Sequence, residues 1–413
     1  MRDASVTLLS RLKACVPDER DIPLLLTTLA GGGERTTKAG VAEYLTAGPK
    51  QCLFATVRYR DGLIASLKPG PALATGRAQD DFIARARIDA AQTHGTVVSS
   101  RVLFSGLPLK GAFKWRDQFR ISPCPRRARI GRGLDWFESH RFPDPALSHL
   151  GPPFPLVLEV RTFRSPNPVL EANRIVRDLD TYQYLLTVLL HGRVRYVHHI
   201  AERQWISVMR RNRIEYHLLH AGFDPGLDGR AEGFVRRRMN LAPTYDGPDY
   251  YNHSWGRDEQ LQLPDTIDKD LIAFHGLRGD LLWRFNRACY WYSLAVQFNR
   301  EPSLSTLGFA AAVECLLPRP SKSRCPSCGK STGPGPTKCF TDHLKKYGVV
   351  PPSLNARRDA IYNVRSALVH GSHTKRTDDG FFRQVDSFVD PLLLEIVTQR
   401  SLLGWLRDPR RTI

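Results

Sequence analysis

An arginine, a serine and a histidine crowd into one short stretch, Tyr362-Asn363-Val364-Arg365-Ser366-Ala367-Leu368-Val369-His370-Gly371. An imidazole, whose ordinary pKa lies near neutrality, can take a proton from a hydroxyl such as a ribose 2′-OH, or give one to a leaving oxygen. A guanidinium can grip a phosphate with two N–H groups and offset charge that develops on it. The spacing sets a condition on this chemistry. Five residues separate Arg365 from His370, so an ideal helix turns them about 140° apart, and one helix alone does not aim both at one point. Two arrangements meet the condition: His370 at a fraying helix end, with Gly371 as the C-terminal cap, or an Arg and a His from two chains across a symmetric interface. Asn363, Ser366 and His370 do share a face, at spacings of three and four, so Asn363 or Ser366 is placed to orient the imidazole or touch phosphate. Glu314, embedded in the apolar run AAAVECLL, is the second polar group out of place. A carboxylate there needs a cationic or hydrogen-bonding partner, and Arg365 is the partner expected. A structural ion pair and a supporting catalytic role both stay open for Glu314.

A second constellation has metal-ligand spacing. Cys325-Pro-Ser-Cys328-Gly is a knuckle in which two thiolates can meet one ion while the glycine permits the tight turn. Cys339 lies eleven residues on, and His343 follows four later, one helical turn away if FTDHLKKYG is helical. Cys325, Cys328, Cys339 and His343 make a Cys3His set for zinc, closed by four protein ligands and therefore a staple for the segment rather than a catalyst. Cys315 competes for the fourth place, although its setting in an apolar helix suits a small core residue. Three of the eight cysteines fall between residues 325 and 339, a crowding that in a cytosolic protein points to metal rather than disulfides.

The charge balance names a class of partner. Sixty Lys and Arg against 41 Asp and Glu give a formal charge of +19, a positive field suited to a polyanion. Basic clusters stand at Arg126, Arg127, Arg129 and Arg132, at Arg210, Arg211 and Arg213, and at Arg236, Arg237 and Arg238. Each alone reads as a solvated face; together they mark candidate nucleic-acid contacts. With 42% hydrophobic and 24% charged residues, the chain is composed to fold rather than to stay disordered. The first sixteen residues carry Arg2, Asp3, Arg11 and Lys13 and lack the apolar core of a secretory signal, and no run is long enough to span a bilayer. A cytoplasmic protein without a membrane partner is expected.

These residues need elements to hold them. Residues 1–265 read as a basic, mixed α/β or β-rich domain of unknown fold, assigned to recognition or sensing. Its strands include CLFATVRYR from Cys52, THGTVVSSRVLF from Thr93, PLVLEVRTF from Pro155 and RVRYVHHI from Arg193. Ile175, Leu179, Tyr182, Leu186 and Leu189 define one helix there. From residue 266 to 413 nearly every segment has helical periodicity, which makes the whole an α+β protein ending in an all-α bundle of four or five helices. Leu282, Phe285, Cys289, Tyr292 and Val296 form one apolar stripe, widened by Trp283, Tyr290 and Trp291. SLSTLGFAAAVECLL follows, with Ser303 or Ser305 as its cap and Pro318 as its stop. The zinc-binding insert occupies residues 319–345, Ile361, Val364 and Leu368 face the core in the next helix, and Pro391 is expected to kink or divide the last apolar segment, Phe381 to Leu406. GGGER at Gly31 lacks the ending of a phosphate-binding loop and reads as a flexible turn. His198 and His199 follow a β-like run, His217 and His220 sit on a helix-like one, and all four read as polar surface.

The C-terminal order of helices, with Tyr-x-x-Arg-Ser-x-x-x-His-Gly at Tyr362 to Gly371, AAAVECLLP and the aromatic segment ACYWYSLA, resembles the HEPN family, in particular its ApeA-like branch. The resemblance covers roughly residues 265–406. It implies a helical bundle and a metal-independent RNA endonuclease of the toxin or anti-phage defence kind. It further implies a homodimer in which Arg365 and His370 of both copies face one cleft, and a 2′,3′-cyclic phosphate product. RNA, a second copy of the chain, and an antitoxin or phage-derived activator are the partners it implies. The alternative from another class is a non-catalytic RNA-binding or dimerisation scaffold that keeps the bundle as structure alone.

Overall fold

The computed structural model describes residues 7–16, 18–60, 63–91, 95–123, 129–130, 154–196, 203–210, 213–220, 223–224, 244–245, 260–298, 302–318, 334–370 and 386–408. Sheets come first and helices last, so the coarse α+β reading holds. Among the described residues no helix is long and apolar enough to cross a membrane. The chain forms two compact units, one of residues 1–99, 160–179 and 229–235, the other of residues 100–159, 180–228 and 236–413.

In the first unit, helices α1 (Leu8–Cys15), α2 (Ile22–Ala30) and α3 (Gly76–Ala90) accompany a sheet of β1 (Gly31–Lys38), β2 (Val41–Thr46), β3 (Leu53–Arg60) and β4 (Leu63–Pro69). The strands follow one another as an antiparallel meander in sequence order. Thr7 and Thr75 cap α1 and α3 by accepting the backbone N–H of Ser10 and Ala78, supplying partners to otherwise orphaned donors. Alternation sends Tyr44, Ala55, Val57 and Leu67 inward against Leu12, Leu26, Phe82 and Ile83 of the helices. The GGGER segment is a strand, not the expected flexible turn: Gly31 ends α2 in the left-handed region at φ 78°, and the chain then pairs with β2. Asp21 is buried and accepts from Arg174 at 2.8 Å and Arg177 at 2.6 Å, which tethers the first half of α4 (Pro168–Leu189) within this unit.

The second unit holds most of a five-stranded sheet, in which the strands run Val194–Arg195, Thr96–Ser105, Phe154–Phe163, Phe119–Pro123 and Phe113–Trp115 from edge to edge. Its members are β5 (Thr96–Ser105), β6 (Phe113–Trp115), β7 (Phe119–Pro123), β9 (Phe154–Phe163) and β10 (Val194–Arg195). The segment RVRYVHHI yields only the short β10 within the described residues; His198 and His199 lie outside them. A two-residue strand, β8 (Arg129–Ile130), pairs with β13 (Phe223–Asp224), and β11 (Arg203–Arg210) forms a hairpin with β12 (Arg213–His220). His217 and His220 therefore lie in a strand, not in the helix their spacing suggested; the pairing with β11 supplies the ladder that fixes them.

Among the described residues, six helices follow in this unit: α5 (Ile267–His275), α6 (Gly279–Gln297), α7 (Pro302–Glu314), α8 (Pro336–Tyr347), α9 (Asn355–Val369) and α10 (Asp386–Arg407). The last helix, α10, packs against each of α5, α6, α7, α8 and α9. Leu393, Leu394, Val397, Leu402, Leu403, Trp405 and Leu406 are buried along it, with Trp405 stacked on Phe285 at 5.8 Å between centroids. Pro391 does not divide it. A proline inside a helix costs about 3 kcal/mol, and burial of several large side chains at roughly 1.5–3 kcal/mol each outweighs that. Neither serine expected to cap α7 does so, since the helix begins at Pro302. Ser305 is instead buried and donates to the Ala295 carbonyl of α6 at 3.0 Å.

Near that bond α6 and α7 come close together. A Cβ added to Gly308 would lie 2.8 Å from Ala295 Cβ, well inside contact distance, so glycine here sets the helix separation. Gly308→Ala is expected to lower stability by a net ~1 kcal/mol, because overpacking at roughly 1–3 kcal/mol exceeds the ~1 kcal/mol gained in helix propensity. Urea unfolding measures this; a raised midpoint would show that the two helices separate without cost.

Candidate functional site

The site is built where α7 ends and α9 passes it. Glu314 is the last residue of α7. The carbonyls beyond it have no partner within the helix, and Arg284 of α6 supplies one: its guanidinium, buried in the core, donates from Nε to the Cys315 carbonyl at 2.9 Å and from Nη2 to the Leu317 carbonyl. A cation at a helix C-terminus also meets the negative end of the helix dipole. Asp280, one turn back on α6, stands 3.9 Å from the same guanidinium. Arg284 was not singled out from the sequence, yet a signal was there. It begins a second buried line, Arg284, Ala288, Tyr292, Ala295, beside the apolar stripe, and a charge on such a line needs work to do.

Arg365 reaches Glu314 from α9. Its Nε lies 3.0 Å from Oε1 and its Nη2 donates to Oε2 at 3.3 Å, the two-pronged geometry a guanidinium makes with a carboxylate. The Tyr362 ring sits 5.8 Å from the guanidinium carbon and leans on Phe340 of α8 at 5.2 Å, so α7, α8 and α9 all constrain the pair. The side chains keep 26% and 34% of their exposure, which leaves the pair open to a ligand on one side. Along α9, Ile361 and Leu368 are buried while Val364 is only half-buried. Arg365 shares the Ile361 and Leu368 side of the helix by its spacing of four and three.

His370 points to the other circumstance foreseen for it. The helix stops at Val369, His370 is the C-terminal cap, and its backbone N–H donates to Ser366 at 3.1 Å. The residue is exposed, as are Asn363 and, in part, Ser366. Its ring makes no hydrogen bond or ion pair among the described residues. The structure thus joins Glu314 to Arg365 and leaves His370 apart from them. Gly371 lies outside the described residues.

The remaining candidates divide in the same way. Cys339 and His343 occupy one turn of α8. His343 is buried, its Nε2 without a hydrogen-bond partner among the described residues, packed on Tyr347, and held neutral, at about 3, by burial and by Lys346 and Arg284 nearby. Cys339 is half-buried, its thiol making only a long contact to the Pro334 carbonyl at 3.7 Å. Cys325 and Cys328 lie outside the described residues, and among those described no three metal-ligating side chains converge. Cys315 is half-buried at the end of α7, and its thiol is pushed up to about 11, first by burial and further by Glu314, against Arg287 and Arg284. Arg126, Arg127, Arg132, Arg211, Arg236, Arg237 and Arg238 lie outside the described residues; Arg129 is in β8, and Arg210 and Arg213 flank the turn of the β11–β12 hairpin.

An ion pair as exposed as Glu314–Arg365 contributes little to folding, typically ~0–1 kcal/mol. Arg365→Ala and Glu314→Ala are therefore each expected to shift unfolding free energy by no more than about 1 kcal/mol, measured by chemical denaturation. A loss of several kcal/mol from either would make the pair a structural element of the bundle instead.

Comparison of the chain with protein-family models, with curated proteins and with solved structures gave no significant match, so the site's chemistry rests on its own residues.

Proposed function

We propose that the protein is a HEPN-type RNA endonuclease of the toxin or anti-phage defence kind, working in the cytoplasm as a homodimer. The observation that carries this reading is the clamped, half-open Arg365 on the same helix as an exposed His370 at its end. Glu314 holds the guanidinium at the surface and leaves N–H groups for a phosphate. His370 moves the proton, taking it from the 2′-hydroxyl or returning one to the 5′-oxygen, and the product is a 2′,3′-cyclic phosphate. Asn363 and Ser366 flank the imidazole as supporting groups. Because Arg365 faces inward and His370 outward, a single chain presents them separately, and a second copy completes the cleft. No metal takes part in cleavage; an antitoxin or phage-derived activator would act by governing the pairing of copies.

A labelled single-stranded RNA incubated with the purified chain is expected to be cut to cyclic-phosphate ends, with His370→Ala and Arg365→Ala each slower by roughly 10²–10⁴. Mass photometry on the same samples reports the dimer. RNA left intact by a dimeric wild type, or cut equally by His370→Ala, would leave the non-catalytic scaffold as the reading.

Zinc belongs to the same proposal as a structural ion. The unpartnered, buried Nε2 of His343 one turn from the Cys339 thiol suits half of a metal site, and Cys325 and Cys328 would supply the rest. Bound, the ion would cross-link the insert to α8. Metal analysis of the purified chain should find one zinc per chain, lost in the Cys325→Ser, Cys328→Ser double variant; zinc retained by that variant would disprove this assignment.

A further inference from the structure

Among the described residues, the four-stranded sheet of the first unit has a second face that none of the helices α1, α2 and α3 uses. Register defines it. Arg35, Glu43, Thr56 and Lys68 are partners in one row across all four strands, and Lys38, Val41, Arg58 and Ser66 form the next row on the same side. The rows that alternate with these, through Tyr44 and Ala55 and through Ala42, Val57 and Leu67, are the buried ones. Arg35, Lys38, Arg58 and Lys68 are exposed, while Val41 and Thr56 are half-buried. The single acid in the two rows, Glu43, is 2.6 Å from Arg35, which leaves Lys38, Arg58 and Lys68 in excess.

From this pattern we infer that the outer sheet face is a docking surface for the phosphate backbone of a nucleic-acid duplex. Charge complementarity carries the argument: cations are interleaved with the hydroxyls of Thr56 and Ser66, donors of the kind that meet phosphate and sugar oxygens. With strands ~4.8 Å apart, Arg35 and Lys68 stand roughly 14 Å apart and Lys38 and Arg58 roughly 10 Å, the rows being ~7 Å from one another. The cations are thus spread over a surface rather than gathered at a point, as a polymer of phosphates requires and a single small anion does not. Neither row contains an aromatic ring on which an unpaired base could stack, so the face lacks the usual platform for single strands. Nor does either contain an exposed large apolar side chain to enter a bilayer. Recognition is of the backbone and independent of base sequence. This surface stands apart from the nuclease reading, because it requires neither Arg365 nor His370.

The test uses the full chain and a fluorescent 2′-O-methyl RNA duplex, which has no 2′-hydroxyl nucleophile and so reports binding without cleavage. A DNA duplex of the same sequence forms a second arm that tells which backbone is preferred. Arg58→Gln with Lys68→Gln is expected to weaken duplex binding by about 30-fold near 0.15 M salt and to reduce the slope of log K against log salt by about 2, as removal of two phosphate contacts requires. Arg77→Gln with Arg85→Gln removes the same charge from exposed positions of α3 and should leave both values near the parent's. Lys38→Gln with Lys68→Gln repeats the test should the first variant melt early. Unchanged affinity and slope in the sheet variants, an equal loss in the α3 variant, tighter binding of single-stranded poly(U) than of either duplex, or capture by phosphatidylserine vesicles in place of duplex would each overturn the assignment.

Discussion

The C-terminal helices depend on the burial of α10. It touches each of the five other described helices from residue 267 onward, and its second half is enclosed almost all round, with Thr398, Gln399 and Ser401 buried beside the leucines and Trp405. Such a helix cannot shift without disturbing five neighbours, because interiors are packed as densely as organic crystals. Asp270 makes the arrangement more specific: it is fully buried in α5 and takes 2.6 Å hydrogen bonds from Arg407 near the end of α10. That pair fixes the axial position of α10, an alignment that apolar contacts alone, being non-directional, do not set.

The site inherits its geometry from this. Both α7 and α9 rest on α10, so the distance between Glu314 and Arg365 is set by packing rather than by the attraction of two half-exposed charges. Arg284 acts on the same point from α6, by holding the last carbonyls of α7. Preorganisation of this kind matters to an anion site. A guanidinium already held by a carboxylate loses less rotamer freedom when a phosphate arrives, while the neighbouring carboxylate weakens its net attraction for that phosphate. The balance favours orientation over raw affinity, which suits a group that acts on a transition state more than one that only binds.

Much of this was legible in the residues. The stripe through Phe285, Cys289, Tyr292 and Val296 is buried, and strands at Leu53–Arg60, Thr96–Ser105 and Phe154–Phe163 lie where alternation and β-branched content put them. The Glu314–Arg365 contact was anticipated because an acid in an apolar helix must find a cation. What escaped were features that local pattern does not encode. Tyr290 was placed in a buried aromatic face but is 36% exposed; a ring's periodicity does not reveal whether another element covers it. The GGGER strand has glycines against it and a partner strand for it, and pairing outweighed propensity. Ser305 looked like a cap because its type favours one, while its actual acceptor lies ten residues away on the facing helix.

The division of α9 into an inward Arg365 and an outward His370 follows from helix geometry and constrains any chemistry they share. A group on the core side can be clamped, as Glu314 clamps Arg365, and it keeps only part of its exposure. A group at the helix end is exposed, and among the described residues nothing orients its ring. Catalysis needs both orientation and access at one phosphate. Within one chain these are separated by about 140° of helix rotation, so the orienting contacts for His370 must come from outside the helix that carries it. In the two-fold pair proposed above, each copy would supply what the other lacks, and the cleft would exist only at concentrations where the pair forms. Under that proposal, association itself would be the control.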